Sequence, residues 1–202
     1  MKKIVRYFGG FIDAQEKWLN TMSEKGYRLV RTGKLIYEFE ECAPHKYIYC
    51  VDFVAHKTYA ELKDYKQFLK EVGYKVMSKN ANLNWSIGKI RWRPYGDGLG
   101  KIATSPGNYN KELLIVEKEN DQKPFELHTT IEDKLSYYKV QRNLYLSLFI
   151  LTIFLFLWVY YNTTHLTIHS SVILFLALLS VCPTILFQRK YKHYQKQSIL
   201  ND

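Results

Sequence analysis

Cysteine is scarce in this chain, and it is scattered. Cys42, Cys50 and Cys182 are the only three in 202 residues, with no CxxC or Cys/His spacing among them. That excludes the usual zinc and dithiol arrangements, and the three are expected as free thiols in a reducing compartment. No secretory leader is expected. Met1-Lys2-Lys3 opens onto a short apolar run broken by Arg6 and followed by Asp13, too short and too charged for a signal peptide. The glycine-rich stretch 95–100 lacks the GxGxxG spacing, a Lys-Ser/Thr ending and a following helix pattern, so it reads as a loop and not a phosphate cradle. No His/Cys/Asp/Glu or nucleophile-base set stands out, so no enzyme, metal or cofactor is expected.

The most informative absence is of charge. Residues 144–161 and 168–187 contain no Asp, Glu, Lys or Arg. The first stretch, as a helix, spans ~27 Å against the ~30 Å of a hydrocarbon core. Tyr145 stands at one end and Trp158, Tyr160 and Tyr161 at the other, where amphipathic rings favour the headgroup boundary. Pro183 is expected near the end of the second helix, where a lost hydrogen bond costs least. A mean hydropathy of -0.27 hides this division, because the residues before about 143 are rich in Lys and Glu.

The formal charge of +10 gathers around these stretches. Lys134, Lys139 and Arg142 precede the first, and Arg189, Lys190, Lys192 and Lys196 follow the second. The linker 162–167 has neither Lys nor Arg. The asymmetry predicts two spans of a cell membrane with both termini cytoplasmic and a very short external loop. The lipid bilayer is thus the first expected partner, and the basic excess needs no nucleic acid. Asn162-Thr163-Thr164 reads as an incidental sequon, and His165 and His169 as loop residues. From Ile131 to Tyr161 there is no breaker, which predicts one helix.

The preceding region contains a repeated plan. Asp13-Ala14-Gln15-Glu16 and Thr58-Tyr59-Ala60-Glu61 both match a capping box. Trp18, Leu19 and Met22 share one side of the first helix; Leu62, Tyr65, Leu69 and Val72 recur at helical spacing in the second. Gly26 and Gly73 then end the helices, and Tyr27 and Tyr74 open strands. A first strand is expected over residues 3–11. Alternation marks further strands around Tyr37 and Phe39 and, after a turn at residues 43–45, around Tyr47, Tyr49, Val51 and Phe53. A last strand region carries Trp85, Ile87, Ile90 and Trp92, with a bulge expected at Gly88; residues 111–118 add an edge strand. The fold class is α+β: a ferredoxin-like βαββαβ domain followed by a two-helix transmembrane hairpin. The expected divisions are 1–127 (cytoplasmic domain), 128–143 (juxtamembrane helix), 144–161 and 168–187 (spans) and 188–202 (basic cytoplasmic tail).

Several of these residues are similar to the family catalogued as domain of unknown function 2812. The matching runs are Glu16-x-Trp18-Leu19-Asn20-x-Met22, Gly26-Tyr27-x-Leu29, Tyr37-x-Phe39-Glu40 and Pro44-x-x-Tyr47-x-Tyr49-x-Val51-Asp52-Phe53, with Gly73-Tyr74 and Trp85. They cover residues 4–92. Members often carry Trp after the helix-ending glycine, where this chain has Tyr27 and Tyr74. The resemblance implies a bacterial membrane-anchored protein and an association with PadR-like transcriptional regulators. It carries no activity and no site residues.

The aromatic stripe Tyr37, Phe39, Tyr47, Tyr49 and Phe53 is the candidate binding site. It has two readings: core packing against the helices, or an open sheet face that binds an apolar ligand or a partner. A comparison with the third strand of RNA-recognition motifs fails, because Ile48 and Cys50 occupy stacking positions and the aromatics fall on the opposite face. Asp52 with Glu38 and Glu40 reads either as a carboxylate cluster or as strand-mates facing solvent. Asn20 in the first helix is expected to reach a loop backbone. The expected role is a non-enzymatic regulatory or sensory membrane protein, with a cytoplasmic regulator of PadR type or a membrane protein as its partner. The alternative is a small membrane protein acting through its hairpin, in immunity to a toxic peptide or its export.

Overall fold

A computed structural model of the chain describes residues 1–33, 35–54, 57, 59–79, 85–87, 90–92, 102–103, 113–123, 125, 127, 131–163 and 167–201. The chain divides into two compact units, Met1–Thr129 and Thr130–Asp202. The expected bulge at Gly88, the glycine-rich stretch 95–100, Thr58 and His165 lie outside the described residues.

The first unit opens with β1 (Lys2–Val5), α1 (Ile12–Glu24), β2 (Tyr27–Thr32) and β3 (Ile36–Glu41). Strand β3 pairs antiparallel with both β1 and β2 and lies between them. The same plan then recurs in β4 (Tyr47–Phe53), α2 (Tyr59–Glu71) and β5 (Lys75–Lys79). Three short strands, β6 (Trp85–Ile87), β7 (Ile90–Trp92) and β8 (Ile102–Ala103), form a small sheet of their own. The returning strand β9 (Leu113–Glu119) then inserts between β4 and β5, antiparallel to each. Superimposing Gly26 on Gly73 lays α1 residue for residue on α2, so the internal repeat extends to element length.

The α+β class is as expected, but the sheet differs from the ferredoxin-like plan. Each half is a βαββ unit with its own three-stranded sheet, instead of two halves sharing one. Strand β9 is central and not at an edge. The reason lies in its sequence: Leu113, Leu114, Ile115 and Val116 are all buried, and a continuous apolar run suits a strand covered on both faces. In the second half Val54, Leu69, Leu114 and Val116 form the core, flanked by Leu62, Tyr65, Tyr74, Val76, Phe125 and Leu127.

The predicted box at Asp13 does not start α1: Phe11 is the N-cap, its side chain has no atom to cap with, and Asp13 already lies inside the helix. Glu16 accepts instead from the Val51 amide. The C-termini behave as expected. Gly73 has φ +94, and the amides of Gly73 and Tyr74 reach back to the carbonyls of Lys70 and Leu69 (2.9 and 3.0 Å), which is a Schellman ending. Gly26 has φ +79, and a Cβ there would stand 2.9 Å from the Cys42 carbonyl oxygen; around Gly73 there is open space. Gly73→Ala should therefore cost only the left-handed penalty, about 1–2 kcal/mol. Gly26→Ala adds a clash with backbone that cannot swing aside, and should cost at least twice as much. Chemical denaturation followed by near-UV circular dichroism measures the difference.

The second unit is a helical hairpin of α3 (Ile131–Thr163) and α4 (Ile168–Asn201). Helix α3 is continuous, as expected. Both helices are long and apolar enough to cross a membrane. Their large side chains point outward: Phe154 is 66% exposed and Leu178 is 61% exposed. Ser170, Ala177 and Ser180 are buried and share one stripe of α4, where small residues let helices approach closely. Toward its outer ends the pair is held by rings. Tyr138 stacks on Tyr194 (5.5 Å, 8°), Tyr145 stacks on Phe187 (5.5 Å), and Arg142 lies over Tyr191 (4.5 Å).

Two expectations change here. Pro183 lies well inside α4, not near its end, and the basic stretch 188–201 continues the helix. The Ser180 and Thr184 hydroxyls donate to the carbonyls of Ala177 and Ser180 (2.7 and 2.8 Å), on either side of the Leu179 carbonyl that the proline leaves without an amide.

Candidate functional site

Strand β4 is an edge of its sheet, and an open edge invites unwanted pairing. Helix α1 closes it with side chains. Asn20 grips one residue twice: its Nδ2 donates to the Tyr49 carbonyl (2.9 Å) and its Oδ1 accepts from the Tyr49 amide (2.8 Å). One turn earlier Glu16 accepts from the Val51 amide (2.8 Å), and one turn later the Ser23 hydroxyl donates to the Tyr47 carbonyl. The helical period sets these three residues on one face, matching alternate residues of an extended strand. Asn20 is thus structural, but its target is a strand edge and not a loop.

Beneath this edge lies a buried polar group. Glu117 on β9 is 2% exposed. Its Oε1 accepts from Arg28 Nε (2.9 Å) and Nη2 (2.7 Å), and its Oε2 accepts from the Tyr49 hydroxyl (2.9 Å). The same hydroxyl accepts from the Leu29 amide (2.8 Å), so one phenol joins the two halves. Lys75 Nζ stands 4.0 Å from Glu117 and donates to the Leu29 carbonyl (3.2 Å). Burial pushes the Tyr49 phenol well above its ordinary value, and it stays protonated as a donor.

The five aromatics occupy two sheets, not one face. Tyr37, Phe39, Tyr49 and Phe53 are buried, and Tyr47 is half-buried beneath Arg28 (4.3 Å). Trp18 meets Tyr37 and Phe39 edge-on (4.9 and 5.6 Å), so α1 covers the Tyr37 side of its own sheet. The carboxylates Asp52, Glu38 and Glu40 are not brought together. Glu38 pairs with Lys3 (3.4 Å) and Glu40 with Arg28 (3.5 Å), while Asp52 is buried against Tyr65. Asp52 therefore does not face solvent. Among the described residues no group of three or more His, Cys, Asp or Glu could hold a metal ion.

Sequence reasoning missed Glu117, Arg28 and Lys79. Glu117 had a signal, since it closes a run of four apolar residues. Lys79 is 5% exposed, donates to the Gly33 carbonyl (2.7 Å) and lies over the Tyr37 ring (4.3 Å). Burial pushes its ammonium down to about 8. The unfolded chain, with its lysine near 10.4, holds that proton to higher pH, so stability should rise between pH 8 and 10. The gain should approach about 2–3 kcal/mol and be absent in Lys79→Met. Thermal unfolding of both proteins across that range tests it.

Fold and site together describe a small α+β repeat domain, locked by buried polar contacts and followed by two helices long enough to cross a membrane. The chain belongs to the family described as Protein of unknown function (DUF2812), whose model matches residues 11–150. No curated protein and no solved structure matches it. The runs that carried the resemblance meet in space: Glu16 and Asn20 of one hold Tyr49 and Val51 of another.

Proposed function

We propose that this is a membrane-anchored, non-enzymatic regulatory protein whose α+β domain binds a small ligand or a partner on the cytoplasmic side. The observation behind this reading is the hairpin. Its apolar side chains face outward, a costly arrangement in water and a favourable one in lipid. The absence of Lys and Arg from residues 162–167, against basic outer ends, supports two spans of the cell membrane with both termini in the cytoplasm. The family resemblance supports a regulator of PadR type as the partner. Two buried polar systems on well-packed strands suit a domain that recognises and holds.

The test is recovery of a tagged full-length chain from detergent-solubilised membranes, with bound proteins and small molecules identified by mass spectrometry. A partner or ligand should be retained by a chain whose residues 144–187 are exchanged for an unrelated hairpin. Repeated recovery of neither would contradict the reading. Loss of function on exchange, with the α+β domain still folded, would favour a role for the hairpin itself.

A further inference from the structure

The polar side chains under Trp18 form an unusual set. The Tyr37 hydroxyl and the Gln15 side-chain amide nitrogen are both buried without a hydrogen-bond partner. Tyr37 is 0% exposed and Gln15 2%. A donor left unmade in the interior costs free energy, and native proteins leave few such groups without a reason. Gln15 lies between Trp18 and Leu19 around the α1 axis, one turn nearer the N-terminus. Since Ile4 pairs with Tyr37 and Val5 with Ile36, that turn lies toward the Tyr37 end of β3.

Two cations border the same rings. Lys79 Nζ is 4.3 Å from the centre of Tyr37. The Arg6 guanidinium lies over Phe8 (5.2 Å) and Trp18 (5.1 Å) and, among the described residues, forms no ion pair. Phe8 and Trp18 in turn meet Tyr37 at 5.9 and 4.9 Å. Both unpartnered groups are donors, and both neighbouring charges are positive. We infer that the space between α1 and the Tyr37 end of β3 is a binding site for a small oxyanion, a carboxylate or a phosphate. Gln15 and Tyr37 donate to it, Lys79 supplies the inner charge and Arg6 the outer one. Both donors are buried (0% and 2% exposed), so the ligand is a small one. This assignment rests on the ligand-binding reading of the domain and gives that ligand a chemical class.

The probes are inorganic phosphate and acetate, titrated calorimetrically into the full-length protein in detergent. At least one should bind saturably. Tyr37→Phe and Gln15→Met, which keep the volume and remove the donor, should each weaken binding about tenfold or more. Without anion, both variants should melt no lower than the parent, because each removes a group that has no partner. Saturable binding by neither probe would overturn the assignment, as would binding that both variants leave unchanged. A lower melting temperature of anion-free Tyr37→Phe would also overturn it, since the hydroxyl would then have a partner in the protein. Partner recovery from membranes is read separately from anion binding, so either result can fail while the other stands.

Discussion

Glu117→Leu should lower the unfolding free energy by about 3 kcal/mol or more, the largest single effect expected in the α+β domain. The carboxylate is 2% exposed and accepts from Arg28 twice and from Tyr49 once. Removing it leaves a guanidinium beside the interior and a buried phenol donor with nothing to donate to. Arg28→Met should cost a comparable amount, because it removes two of the three hydrogen bonds to the buried carboxylate. The double variant Arg28→Met/Glu117→Leu should cost much less than the two singles added together, since replacing both partners of a buried pair by apolar groups is often near neutral. Denaturant unfolding of the four proteins completes the cycle. Single-variant losses below about 1 kcal/mol would show that the pair does not join the two halves.

Asn20→Ala should be the second large loss, about 2–4 kcal/mol. One amide side chain satisfies both the N–H and the C=O of Tyr49, and alanine satisfies neither. The figure is net of a small gain, because alanine is the better helix former. Asn20→Asp should be no milder: it keeps an acceptor for the Tyr49 amide but sets a carboxylate against the Tyr49 carbonyl. Both variants open the edge of β4, so increased self-association should accompany the lost stability. Size-exclusion chromatography after mild heating, beside the denaturation curve, reads both. An Asn20→Ala protein as stable and as monomeric as its parent would remove the edge-closing role.

Local signals were legible where the chemistry is local. Gly26 and Gly73 marked both helix ends because a left-handed residue is needed there. The uncharged runs marked α3 and α4 because no polar backbone or charge interrupts them. Glu16 shows the limit: in sequence it completes a capping box with Asp13, and only the packing of α1 on β4 reveals that it serves Val51 instead. Strand β9 shows another. Its partners lie around Tyr49 and Lys75, and nothing near Leu113 announces that it will divide them, so a strand expected at an edge is central. Asp52 looked like a solvent-facing strand-mate because alternation fixes the face of a residue but not what covers that face. The aromatic residues were found by pattern, but their division between two sheets depends on the same long-range pairing.

Everything about where this protein works depends on the hairpin being in lipid. The most direct measurement is the distribution of the full-length chain after membranes are washed with alkaline carbonate, which strips peripheral proteins and leaves spanning ones. The chain should stay in the pellet, and a version lacking residues 144–187 should move to the supernatant. A full-length chain released by carbonate would contradict the account.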